Sequence, residues 1–219
     1  MAIYDYTLDP SGDTILILEK PNAPFAVWHG ASGDKRRPPS RADHVPIEDQ
    51  PAAIHEPVTF LVSSRHLILA SPVLKAALTG EWKESTPRET DGLRELRAEG
   101  WHVQAMAIFM SILHHKWSQV PPDVDLELLA KIAAVADYYQ TYEMAPFIGS
   151  LWVERLRKSQ LPRVYSRELV LWIFISSMFR HREVFRHVTK IAVRDCPGDL
   201  ETLELPILSA VVGMKRPSL

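Results

Sequence analysis

Thr14-Ile-Leu-Ile-Leu18 is an unbroken apolar run of β-favouring residues, set off by the turn chemistry of Asp9-Pro-Ser-Gly-Asp13. Proline fixes one dihedral and glycine permits positive φ, so the run predicts a buried strand entered from a tight turn. Val58 to Ser63 predicts a second strand and Leu93 to Leu96 a brief third. Pro21 to Trp28 reads as an edge strand, where proline is tolerated. Residues 65–70 predict a short helix. Ser71 then reads as the N-cap of the next, with Pro72 at its first position and Gly80 as a C′ glycine. Val73, Leu74, Ala77 and Leu78 share one face of that helix.

Helical spacing dominates the rest. Trp101 to His115 carries Val103, Met106, Met110 and Leu113 on one face and Ala105, Ile108 and Ile112 on another, which predicts a helix central to the core. Pro121-Pro122 breaks the chain. Leu126, Leu129, Ile132, Ala133 and Ala136 mark a helix over Leu126 to Tyr139. Three more are expected: Pro146 to Arg157, Ser166 to Phe179, and Arg182 to Arg194, stopped by Cys196-Pro-Gly198. Strands early and helices late give the α+β class. Trp152 and Trp172 fall in helical stripes and are expected in the core.

His29 to Pro57 differs. Five prolines sit among charges and small residues, and large apolar side chains are nearly absent. Such a segment buries too little to offset its ordering entropy, so a flexible insertion is expected. The organisation is then residues 1–28 as the first strands, 29–57 as the insertion, 58–145 as the rest of the domain and 146–219 as a C-terminal helical extension.

The chain has 219 residues, 46% of them apolar, enough for a sizeable core. A formal net charge of −2 argues against broad nucleic-acid binding, which needs clustered cations. One cysteine, Cys196, excludes an internal disulfide. The N-terminus lacks the pattern of a secretory signal, and the apolar run Leu169 to Phe179 is short of the roughly 20 residues that cross a bilayer. The expectation is a soluble intracellular protein, cytoplasmic or nuclear.

With these elements placed, the chain resembles the BTB/POZ domain family over roughly Asp13 to Met144. The resemblance rests on the Asp13-led strand and on His66, Leu69 and Ser71 after the second strand, with Ser71 one residue earlier than the commonest spacing. It rests also on Ser71-Pro72-Val73-Leu74 running to Leu78-Thr79-Gly80, and on the Leu128 to Tyr139 helix with its Ala136-Asp137-Tyr138-Tyr139 end. Leu74 stands where the family usually has phenylalanine. Pro21-Asn22-Ala23-Pro24-Phe25 and Gly80-Glu81-Trp82-Lys83-Glu84 resemble filamentous-fungal members.

The resemblance implies a protein–protein interaction module: an oligomerisation scaffold, a corepressor-recruiting partner, or a cullin-3 adaptor of ubiquitin ligases. Cullin-binding relatives carry a hydrophobic-x-Glu motif after the second helix, and Trp82-Lys83-Glu84 occupies that place beside Leu78. An indole can fill a partner groove while the carboxylate meets a cation. The alternative is that Trp82 packs on its own domain. Little chain precedes Asp13 and none of it reads as helical, so the swapped dimer of the zinc-finger class is not expected.

Other chemistry is weighed and set aside. His114-His115 cannot chelate one ion from one helix face, because adjacent residues diverge by about 100°; a solvated helix end is expected instead. Ser63, Ser64, His66 and Asp13 allow a small hydrolase using Ser64 and His66, but no nucleophile elbow surrounds them. The plainer reading is a polar pair of Asp13 and His66 at the strand-to-helix turn, which the resemblance also favours. Lys35-Arg36-Arg37 with Arg41, and Arg180, Arg182, Arg186 and Lys190, read as solvated cations, with nuclear import or an acidic partner as the alternatives. No metal, cofactor or small-molecule substrate is expected.

Overall fold

The computed structural model describes residues 4–28, 56–80, 83–143, 145–196 and 198–207. The fold is α+β, a small mixed sheet followed by helices. Its elements are β1 (Tyr6–Thr7), β2 (Thr14–Glu19), β3 (Val58–Val62), α1 (Ser64–Ala70), α2 (Pro72–Thr79), β4 (Arg94–Glu99), α3 (Val103–Leu113), α4 (Leu126–Tyr138), α5 (Ala145–Gln160), α6 (Arg167–Met178) and α7 (Arg182–Asp195). Single turns of 3-10 helix cover Lys83–Ser85 and Trp117–Gln119.

The sheet order is β1-β3-β2-β4. β2 and β3 pair antiparallel, with Leu16 opposite Phe60. After β3 the chain forms α1 and α2, crosses to the other edge of β2 and returns as β4, parallel to β2 with Leu16 beside Leu96. β4 alternates cleanly. Leu96 and Ala98 point into the core, while Arg97 faces out and pairs with Glu19 and Glu95. That period-2 pattern extends through Glu99, past the brief strand expected at Leu93 to Leu96. β1, parallel to β3, is an addition; two residues are too few for a periodic signal.

Pro21 to Trp28 is not a strand. Its prolines lack donors, and Lys20, Asn22 and Ala26 adopt left-handed φ of 43°, 63° and 48°. The segment turns back onto the end of β4. Asn22 and Ala23 donate backbone N–H groups to the carbonyls of Trp101 (3.0 Å) and Gly100 (3.1 Å). Asn22 Oδ1 accepts the Val103 N–H at 3.1 Å, supplying from a distance the cap that α3 lacks locally. Arg167 clamps the same segment from α6, donating to the carbonyls of Ala26 and Phe25 and pairing with Glu127 of α4.

One hydrophobic cluster runs from Leu8 to Leu205. α3 is buried over Ala105, Met106 and Ile108–Leu113, as its two apolar faces require. α6 is its counterpart, with every side chain from Leu169 to Ile175 at most 2% exposed. α4 packs against both, and α5 and α7 against α6. The helices after Ala145 therefore share the core of the domain. Trp152 and Trp172 are buried, and Trp152 Nε1 donates to the Pro121 carbonyl at 3.0 Å. No helix among the described residues is long and apolar enough to cross a membrane.

Candidate functional site

The turn before β2 delivers Asp13 to the point where α1 begins and β4 starts. Its carboxylate accepts the Ser64 hydroxyl (2.6 Å) and the Ser64 N–H (2.7 Å), and pairs with Arg94 at 2.9 Å. Burial pushes the Asp13 carboxyl up, but the Ser64 bonds and the Arg94 charge outweigh it and hold the group below the usual carboxylate range. One side chain thus ties together a strand edge, a helix start and the returning strand. The Ser64 hydroxyl donates its proton in a hydrogen bond to a carboxylate, where a nucleophile would donate to a base such as an imidazole.

His66 is not the partner of Asp13. Its ring stacks on His114, with centroids 4.9 Å apart, and its Nδ1 is buried without a hydrogen-bond partner among the described residues. His114 in turn is no solvated helix end; it is 5% exposed. Its Nδ1 lies 2.8 Å from the Met110 carbonyl and its Nε2 accepts the Ser63 N–H at 2.9 Å. An imidazole that accepts at Nε2 is neutral with its proton on Nδ1, and burial lowers its affinity for a second proton. His115, which follows in left-handed φ of 56°, is exposed as expected. Among the described residues no group of three metal-ligating side chains converges.

Ser71 caps α2 as the sequence indicates, accepting the Leu74 N–H at 3.0 Å. It also donates to the Tyr139 carbonyl at 2.6 Å, joining α2 to the end of α4, and is 1% exposed. Gly80 ends α2 in extended backbone, φ −79° and ψ −173°, so it does not use the left-handed freedom expected of a C′ glycine.

Of the edge after α2, Leu78 is 4% exposed and belongs to the core, so it is removed from the contact set. It lies on the same helix face as the buried Leu74, and that face turns inward. Glu84 is half-buried on the turn Lys83–Ser85, which Arg94 Nε holds through the Ser85 carbonyl at 3.2 Å. Trp82 lies outside the described residues, as do Lys35, Arg36, Arg37, Arg41 and all of the expected insertion but Glu56 and Pro57. Arg182, Arg186 and Lys190 are exposed on α7; Arg180 precedes the helix, in a left-handed turn.

A cleft that sequence reasoning missed opens at the far end of β4. Phe25, Trp101 and Tyr138 wall it, Asp137 lines it, and the segment Leu203–Pro206 closes one side; its volume is about 740 Å³. The usable signal was Tyr138, which stands off the apolar stripe of its helix and is 60% exposed. That four distant segments meet there is not visible in any local pattern. No family model matches the chain, and no curated protein is significantly similar to it.

Proposed function

We propose that the protein is an interaction module of BTB/POZ-like architecture, working in the cytoplasm or nucleus as an adaptor or oligomerisation scaffold. The observation that carries this reading is how its side chains are spent. Asp13, Ser64, Ser71 and His114 are engaged in holding elements together, while the large apolar side chains Leu69 (86% exposed), Phe147 (76%) and Leu151 (58%) face solvent. Apolar groups held in water on a well-packed scaffold are what a partner surface uses. The element order supports the architecture: two antiparallel strands, two short helices, a parallel return strand, then helices.

The contact edge proposed is the turn after α2, with Glu84 and Trp82, and its occupant is the N-terminal domain of cullin-3 or a second copy of the chain. Calorimetric titration of the full chain with the purified cullin-3 domain tests the first. The expected result is a saturable complex weakened about ten-fold or more by Trp82→Ala and by Glu84→Ala, the loss of one anchoring contact. No binding, or binding indifferent to both variants, removes cullin-3 and leaves self-association, read by sedimentation of the same samples.

A further inference from the structure

The Trp101 cleft is built from four separate stretches of chain. Ala26 holds a left-handed φ of 48° on one wall, and Leu203 and Glu204 hold 57° and 60° on another. Leu203 and Leu205 are buried, which fixes the intervening Glu204 outward along the rim. Trp101 and Tyr138 meet edge to face at 5.4 Å between centroids, forming an aromatic corner. Asp137 lines the cleft beside that corner, and Tyr142 donates to its carboxylate at 3.3 Å.

We propose that this cleft binds the guanidinium of an arginine presented on an extended segment of a partner protein. Aromatic faces attract cations through their quadrupoles, and arginine, being planar, stacks on them while forking onto a carboxylate. Among the described residues, Asp137 and Glu204 are the charged side chains lining this cleft, so the groups that line it favour a cation. Burial raises the Asp137 carboxyl above its usual range, and a bound cation would relieve that cost. Lys131 stands in the adjoining cleft of about 530 Å³, paired at 3.2 Å with Glu127, which Arg167 also engages, and the Phe25 ring lies 5.7 Å away. The two clefts share Pro24, Phe25 and Trp101, so the arginine corner continues into a groove able to take flanking residues. This face is separate from the Glu84 edge. That edge abuts the start of β4, whereas the cleft adjoins its end, and the proposal stands whatever binds at the former.

The test is a nuclear magnetic resonance titration of the full chain, following the indole N–H of Trp101 assigned with Trp101→Phe. The probes are N-acetyl-Leu-Arg-Leu-amide, its neutral citrulline isostere and free arginine amide. The arginine tripeptide is expected to shift the Trp101 signal saturably, and the citrulline analogue to bind about ten-fold more weakly or worse, a loss of roughly 1.4 kcal/mol. Asp137→Asn and Glu204→Gln are each expected to weaken the arginine tripeptide several-fold, with the remaining indole signals unmoved as the control for folding. Equal affinity for the two tripeptides, no saturable shift, or indifference to both variants overturns the assignment. Free arginine amide binding as tightly as the tripeptide overturns the peptide occupant. Self-association of the chain that Asp137→Asn abolishes assigns the cleft to a second copy instead.

Discussion

His114→Leu is expected to destabilise the fold by about 1–3 kcal/mol, because it strands the buried Ser63 N–H and takes one of two donors from the Met110 carbonyl, which keeps the backbone N–H of residue 114. Leucine nearly preserves volume, so the loss reports hydrogen bonding more than packing. Urea unfolding at neutral pH measures it, and an unchanged midpoint would show that the Ser63 N–H finds another partner. The same imidazole carries a pH signature. Its folded affinity for protons is depressed, chiefly by burial, so the folded state keeps it neutral while the unfolded chain takes up a proton near pH ~6.5. The stability it contributes is full above that pH and declines as pH falls through it. His102 is depressed in the same direction by burial and by Lys131, so the wild type alone cannot separate the two. The difference does. Between pH ~7.5 and ~5.5 the wild type should lose more stability than His114→Leu. The lowered carboxylates Asp5, Asp13 and Glu127 give up their contributions at more acid pH, as pH falls from the usual carboxylate range through their depressed folded values.

Gly149→Ala is the second large effect, and its sign is diagnostic. Helix propensity alone predicts a gain of about 1 kcal/mol for alanine over glycine in a helix interior. Here an added Cβ would land on the ring of Phe179, which is itself 3% exposed and has little room to turn. Overpacking of that kind is expected to cost about 2–3 kcal/mol, reversing the propensity gain. The contact joins α5 to α6, so the result reports how tightly the C-terminal helices close on the core. Urea denaturation of the full chain measures it. A variant more stable than the wild type would mean that α5 rides loosely on its neighbours.

Much of the architecture was legible because long amphipathic or doubly apolar runs leave few alternatives. α3 and α6, buried on all sides, are such cases: Met106, Met110, Trp172 and Phe174 leave no polar stripe to expose. Capping was legible at the serines: Ser71 and Ser166 each accept from an N–H three residues on, and Asp125 does the same for α4 without having been singled out. Helix ends were harder. α3, α4 and α6 close through His115, Gln140 and Arg180 in left-handed backbone, positions where glycine or asparagine is the usual signal. In each, the N–H of the next residue reaches back to a carbonyl five residues earlier: Lys116 to Ser111, Thr141 to Ala136, His181 to Ser176. Tertiary packing of the helices has overridden the local preference.

The candidate site was less legible, for a different reason. Burial decided it, and burial is a property of the assembled chain. His114 and His115 are adjacent and chemically alike, yet one is a sealed structural acceptor and the other faces water. Leu78 looked available beside Glu84, but the face it shares with Leu74 points inward. Asp13 was read as the polar partner of His66, but its hydrogen bonds go elsewhere. Ser64 and Arg94, 51 and 81 residues away, outcompete His66, which has turned to stack on His114. The cleft at Trp101 depends on segments from four parts of the chain and has no local signature.

The central claim is that this protein works by presenting its surface to another protein. The most direct measurement is affinity purification from the native cell with the full chain as bait, beside Trp82→Ala and Glu84→Ala baits of unchanged thermal midpoint. The account predicts a protein recovered in stoichiometric amount with the wild type and lost from both variants. Recovery of no such partner, together with turnover of a small-molecule substrate that Ser64→Ala abolishes, would contradict it.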